Sequence, residues 1–346
     1  MSAEADAILQ SDAGHRLKDT NLRLLRQLAE AKAKKADLVA AVYRAVTDCA
    51  SSLEYKPVAP PKKLDKRGGE EVAVPWLADL QLGKVTPNYN SKVCEKRIEL
   101  FADKVRVLTD IQRQDHPVRE ARVWVLGDVI EGLTVFPGQH FLVDSSLYRQ
   151  VALDGPRILG NFLRSMLSDF DKVHVTAIIG NHGRLGRRGE YDPETNGDRM
   201  VYKITQQIMA SEKRLTWNIP DGMGERHWYA IDKIGNYSCM LFHGDQLAGR
   251  MQGALTMIGL KRIVNGWKSG AIPEPFQDVA FGHWHQLMEI PLNGKSIARC
   301  GGSPESFNTF AQEALAAMSA PAQRLMFVHP ESGKVTAEHK VWLEKA

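Results

Sequence analysis

Residues 74–84 read VPWLADLQLGK. A run dominated by apolar side chains stops at Asp79, and Gln81 follows two positions later. A short apolar run bounded by turn signals reads as a buried strand. A carboxylate at the end of such a strand is costly unless cations or hydrogen-bond donors meet it. Four other stretches repeat the pattern, each an apolar run ending in residues of metal-ligand type. ARVWVLGD ends at Asp128, KVHVTAIIGNHG carries Asn181 and His182, YSCMLFHGD carries His243, and DVAFGHWH carries His283 and His285.

Taken singly, these pieces are ambiguous. GD and GNH are good turn chemistry, and a lone H-x-H is as often surface as ligand. Together they are specific, because sites in open α/β sheets gather at the carboxyl ends of strands. Oxygen and imidazole donors suit Mn²⁺, Fe²⁺ or Zn²⁺. Alternation along an extended HWH points both histidines to one side, with Trp284 opposite. Gly127, Gly180, Gly244 and Gly282 stand beside these residues and permit close backbone approach.

The remaining chain supplies helices between the strands. Residues 92–114 show the helical period through Val93, Ile98, Phe101, Val105, Leu108 and Ile111. Further helices are predicted near 145–168 and from Thr195 to Ala210, where Asn196 and Asp198 read as helix caps, with Asp198 alternatively orienting an arginine of the preceding loop. After Gly302 a short helix at 305–318 and a terminal hairpin are predicted. Strands alternating with helices give an α/β layered fold. Residues 72–346 form this domain. Residues 53–71, rich in proline, glycine and charge, read as a linker. Residues 1–52 read as a helical segment. Its stripe of Leu17, Leu24, Leu28, Ala31, Leu38, Val42, Ala45 and Cys49 follows a 3-4 spacing, with Asn21 and Lys35 on the same seam. Such a stripe either pairs two copies as a coiled coil or packs on its own domain.

Composition narrows the class. The chain has 346 residues, 43% hydrophobic and 25% charged, with a formal net charge of +4. No apolar run approaches the ~18 residues of a membrane span, and the acidic, polar N-terminus is no signal peptide. The four cysteines are scattered without a C-x-x-C pair. A reducing cytoplasm is therefore the expected location, with no membrane partner.

The order D-x-Q, GD, GNH, H, GH-x-H resembles the calcineurin-like metallophosphoesterase superfamily from about Val72 to Gly302. The resemblance implies two stacked mixed sheets flanked by helices, with two divalent metals between them. It implies that Asp128 bridges both metals. Asp79 and His285 would hold the first, with Gln81 in the place of a histidine, and Asn181, His243 and His283 the second. His182 would be the catalytic acid that protonates the leaving oxygen. Gln81 offers only a neutral carbonyl oxygen. It either ligates, favouring Mn²⁺ or Mg²⁺, or holds a water or Asp79 in place.

Arg184, Arg187 and Arg188 follow His182 directly, and clustered arginines suit a phosphate backbone. Within the superfamily the chain is most similar to nuclease subunits of the SbcCD type and to bacteriophage metallophosphoesterases, the latter through DLQLGK and VFPGQH. The expected function is a Mn²⁺-dependent DNA nuclease, with a homodimer through the N-terminal helix. The large capping domain of SbcCD nucleases has little room after Gly302, so no ATPase partner is assigned. Alternatives are a phosphoesterase for a small molecule, or a non-catalytic nucleic-acid-binding protein on the same fold. TVFPGQHF, residues 134–141, either lines the substrate groove or is a buried loop. Trp267 with Lys261, Arg262 and Lys268 either clamps a strand or packs a helix.

Overall fold

The computed structural model describes residues 19–27, 30, 40, 44, 58–59, 69–248, 256–306 and 320–344. The chain divides into two compact units, Met1–Ser52 and Leu53–Ala346. In the first, residues 19–27 are helical, and Leu22, Leu24 and Leu25 are more than half exposed. Leu17, Leu28, Ala31, Leu38, Val42, Ala45 and Cys49 of the predicted seam lie outside the described residues, as does most of the predicted helix at 305–318. Most of the predicted linker also lies outside them. At Val58 the backbone is held: its N–H donates to Glu212 Oε1 at 2.8 Å, and its carbonyl accepts from Arg214 at 2.8 Å.

Two sheets build the second unit. Strands β1 (Glu71–Leu77), β2 (Val118–Val125), β3 (Lys172–Ala177) and β4 (Leu215–Asn218) run parallel. The C-terminal hairpin, β10 (Ala322–His329) and β11 (Lys334–Trp342), adds antiparallel on the other side of β1. The resulting order is β11-β10-β1-β2-β3-β4. The second sheet has the order β5-β6-β7-β9-β8, from Tyr229–Ile234, Tyr237–Phe242, Asp278–Phe281, Met288–Pro291 and Ile297–Cys300 for β5 to β9. β6, β7 and β9 are parallel, while β5 and β8 are antiparallel edges. The architecture is α/β, with two mixed sheets face to face and helices flanking them.

The core lies between the sheets. Alternation along β1 sends Val72, Val74 and Trp76 into one cluster with Phe242, Val279, Phe281 and Cys300 of the second sheet. Trp76 and Trp124 are register partners with ring centroids 5.2 Å apart. Trp124 Nε1 donates to Asp232 Oδ2 on β5 at 2.7 Å, so the buried indole is satisfied across the interface. Helices α1 (Ser91–Gln112), α2 (Gly155–Asp169) and α3 (Gly197–Ile208) flank the first sheet. The Asn90 side chain caps α1 by accepting from Val93 N at 3.0 Å. The apolar stripe of α1, including Ile98, Phe101 and Val105, is buried. Phe101 stacks on Phe162 of α2 at 5.7 Å.

β10 also touches the site to come. Gln323 brackets the end of β1, accepting from Ala78 N at 3.1 Å and donating to Ala78 O at 2.7 Å. Because β1, β2 and β3 are parallel neighbours, and β6 and β7 likewise, their carboxyl ends open at one edge of the sandwich.

Candidate metal centre

The five predicted strand ends meet there. The loops after β1 and β2 stay paired, with Asp79 N donating to Gly127 O at 3.2 Å and Gln81 N to Asp128 O at 2.9 Å. Asp79 reaches the loop after β7, where both carboxylate oxygens accept from His283 N at 2.9 Å. A Cβ on Gly180 would collide with Asp128 Oδ1, and one on Gly282 with Asp79 Oδ2, so the chain packs backbone directly on carboxylate at both points. Among the described residues, the non-glycine positions with left-handed φ are Asp79, Gln81, Asp128, His283 and His285, at 49–71°. Each costs on the order of 1–3 kcal/mol. Five such costs fall at one place, and none elsewhere among the described residues.

Asp128 sits between two groups of donors. On one side His243 Nε2 lies 3.0 Å from Asp128 Oδ2 and 3.0 Å from Asn181 Oδ1. His283 completes this group, since one donor atom each from Asp128, His243 and His283 lie within 4.8 Å of one another. On the other side the Gln81 amide nitrogen is 3.3 Å from Asp128 Oδ2 and 3.4 Å from His285 Nε2. His285 Nε2 is in turn 3.6 Å from Asp79 Oδ1. The structure therefore gathers every residue proposed to ligate into two groups that share Asp128.

The donor set fits divalent cations. His243 Nδ1–H donates to Leu126 O at 2.8 Å, which turns Nε2 toward two oxygens that are themselves acceptors. A positive charge is required where these three atoms meet. Burial opposes it, yet Asp128 pushes His243 up to about 10. Burial and the neighbouring His243 hold His283 down to about 3, so His283 presents a neutral ring with a lone pair. Asp79 is pushed up to about 6, chiefly by burial. Gln81 Oε1 is buried with no hydrogen-bond partner. A half-turn of that amide would exchange its oxygen and nitrogen and aim the carbonyl at Asp128 and His285, the direction a ligand requires.

Three carboxylates support the site: Glu305 and Glu131 were not singled out from the sequence, and Asp198 was read there in another role. Glu305, buried, accepts from His285 Nδ1 at 2.8 Å and pairs with Lys84 at 2.8 Å. Burial opposes its charge, but these partners pull it down to about 2. Glu131, fully buried, holds His182: Nδ1–H donates to the Glu131 carbonyl at 2.9 Å and lies 3.2 Å from Oε2. Burial works against the imidazolium, yet Asp128 and Glu131 push His182 up to about 9. Residues 128–131 are not helical, so no spacing marks Glu131 in advance. Asp198 is not a cap. Asn196 caps α3, accepting from Asp198 N at 2.9 Å. The Asp198 carboxylate instead accepts from the backbone N–H groups of Asp128, Val129, Ile130 and Gly180 at 2.8–3.2 Å.

The arginines divide. Arg184 is half-buried and ion-paired with Asp245. Arg187 and Arg188 are exposed. Trp267 is buried against Phe242 at 5.0 Å, so it packs a helix and does not clamp a strand. Cys94, Cys239 and Cys300 are free and buried. Among the described residues no helix is long and apolar enough to cross a membrane.

No protein-family model matches the chain, and no curated protein matches it. Solved structures similar to it include a single mutant of Vps29 from Entamoeba histolytica, at 14% identity and TM-score 0.33, covering 78% of this chain and 98% of that one. A dimetal phosphatase from Danio rerio is 10% identical with TM-score 0.37, covering 79% and 99%. A 5'-nucleotidase from Candida albicans is 7% identical with TM-score 0.35, covering 83% and 54%. Likenesses this distant carry no functional weight, and the reading rests on the site's own chemistry.

Proposed function

We propose that the chain is a dinuclear-metal-dependent phosphodiesterase of the calcineurin-like metallophosphoesterase type, acting on DNA in the manner of SbcCD-type or bacteriophage enzymes. The observation that carries this reading is the place of Asp128, whose Oδ2 lies 3.0 Å from His243 Nε2 and 3.3 Å from the Gln81 amide. One carboxylate thus serves two donor groups. Asp79, Gln81, Asp128 and His285 would hold one ion, and Asp128, Asn181, His243 and His283 the other. The oxygen-rich first group favours Mn²⁺ over softer ions. Two such ions, when bound, neutralise phosphate charge and lower the pKa of a bound water.

The chain's own residues supply the rest. Glu131 holds the Nδ1 side of His182, which leaves Nε2 facing the centre, 4.0 Å from Asp128 Oδ2. Asp128 and Glu131 favour the protonated form of His182 against its burial, and a proton held at Nε2 can pass to the departing ester oxygen. Glu305 orients His285, and Asp198 fixes the backbone of Asp128. Arg187 and Arg188 offer charge to the phosphates of a polymer. Arg184, already paired, contributes less to that charge.

A substrate panel tests the proposal. Hydrolysis of single-stranded DNA, duplex DNA, RNA, nucleotides and a chromogenic phosphodiester is measured with Mn²⁺ and with chelator. Metal-dependent cleavage of DNA is expected. Turnover of nucleotides alone would move the function to a small phosphoester, and no turnover at all would make the chain a non-catalytic binder.

A further inference from the structure

The loop that seats His182 exposes apolar side chains where burial would be cheaper. Val135, Phe136, Phe141 and Leu142 are 37%, 41%, 81% and 49% exposed. Val85, on the adjoining loop, donates its N–H to Leu142 O at 2.9 Å and is itself 41% exposed. This is not a loose segment. Gln139 at its centre is fully buried, donating to the Glu131 carbonyl at 2.8 Å and carboxylate at 2.9 Å and accepting from Val135 N at 2.8 Å. Its amide nitrogen lies 3.3 Å from His182 Nδ1. Turns closed by Gln139 N to Phe136 O and Phe141 N to Gly138 O fix the backbone under both phenylalanines. The His140 and Phe141 rings stand 3.9 Å apart. Thr134 Oγ1 donates to Arg184 O at 2.9 Å and joins this loop to the one bearing Arg187 and Arg188.

We infer that this loop is a stacking platform for unpaired bases, so that the substrate strand is single-stranded at the point of cleavage. The inference rests on the nucleic-acid reading of the site. Contiguous exposed apolar surface on a well-anchored loop marks a binding surface. Here it is continuous with the proposed proton donor and with two exposed guanidinium groups. That combination matches a strand whose phosphates meet cations while its bases meet ring faces. A duplex keeps its bases stacked on one another and can use such a platform only after unstacking. TVFPGQHF is not a wholly buried loop: Gln139 is buried, but Val135, Phe136 and Phe141 face outward.

The test is binding of the purified, metal-loaded protein to nuclease-resistant phosphorothioate oligothymidylate, to an abasic strand of equal length, and to a duplex. The parent should prefer the thymidylate over both. Phe136→Ala/Phe141→Ala should weaken thymidylate binding roughly 10- to 100-fold, as expected for lost base–ring stacking, and change abasic binding by less than about twofold. Phe141→Leu, which keeps apolar volume at a highly exposed position, should lose part of the same preference without lowering the melting temperature. Equal parental binding to thymidylate and abasic strands, equal losses on both, or tighter binding of duplex would overturn the platform while leaving the DNA reading intact. Binding of no strand would overturn both. Phenylalanine-dependent capture by phosphatidylglycerol vesicles without strand binding would assign the loop to a lipid surface instead.

Discussion

Replacing Asp198 by asparagine tests how the centre is held together. The carboxylate serves two pairs of buried backbone donors: Oδ2 accepts from Asp128 N and Gly180 N at 2.8 Å, and Oδ1 from Val129 N at 3.0 Å and Ile130 N at 3.2 Å. Asp198→Asn keeps the shape but turns one acceptor into an NH₂ group. Whichever way the amide lies, one pair of N–H groups faces donors. Each unsatisfied buried donor costs about 1–3 kcal/mol, so the pair costs roughly 2–6 kcal/mol. Part of that is offset, because burial and then the Asp128 charge already push Asp198 up to about 6. A net loss of about 1–4 kcal/mol is expected from urea unfolding of the metal-free protein, with the slope unchanged. Either pair of displaced amides includes at least one from the Asp128 loop, so metal affinity should fall as well, on the order of 10- to 100-fold. A variant with parental stability and parental metal affinity would refute the idea that this side chain sets the loop geometry.

Four further outcomes are expected. Gln81→His should strengthen the weaker of two unequal metal sites in a calorimetric titration, because an imidazole replaces an amide. Glu305→Gln should weaken metal binding by roughly 10- to 100-fold through loss of the carboxylate that orients His285, with circular dichroism unchanged. His182→Ala should leave metal stoichiometry intact and lower turnover of DNA by about 10²- to 10⁴-fold, and a nitrophenolate leaving group should mask part of the defect. Removing residues 1–52 should halve the mass in light scattering if that segment pairs two copies, while metal-dependent hydrolysis persists.

The parts legible in the sequence are those where one local pattern states the fold and the chemistry together. β1, β2, β3, β6 and β7 are apolar runs with a polar terminus, so the strand and its site residue were read in one step. The short strands β4 and β8 have four residues each, partly exposed, and give a weak local signal. The supporting carboxylates were hidden for a different reason. Glu305 matters because the fold brings it to His285 and Lys84, which no spacing along the chain announces. Asp198 stood in a position where capping was the cheaper reading, and only the packing of α3 against two loops reveals its four donors. The charge of Arg184 was legible, but its partner Asp245 lies 61 residues on, just after β6, so its pairing was not.

The place of β10 has a consequence for how an active molecule comes into being. Its Gln323 completes the backbone pairing of Ala78, one residue before Asp79. The turn that carries Asp79, the first candidate ligand to leave the ribosome, therefore waits for a strand made almost last, and the intervening helices and second sheet must be in hand before the two can meet. Contacts of such long sequence separation form late and slowly. A nascent chain carries all seven donor residues before it can hold five of them in their strained conformations. The proposed hydrolytic activity would thus arrive only with the finished sandwich, and shortening the chain from its C-terminal side should silence it without touching a single donor.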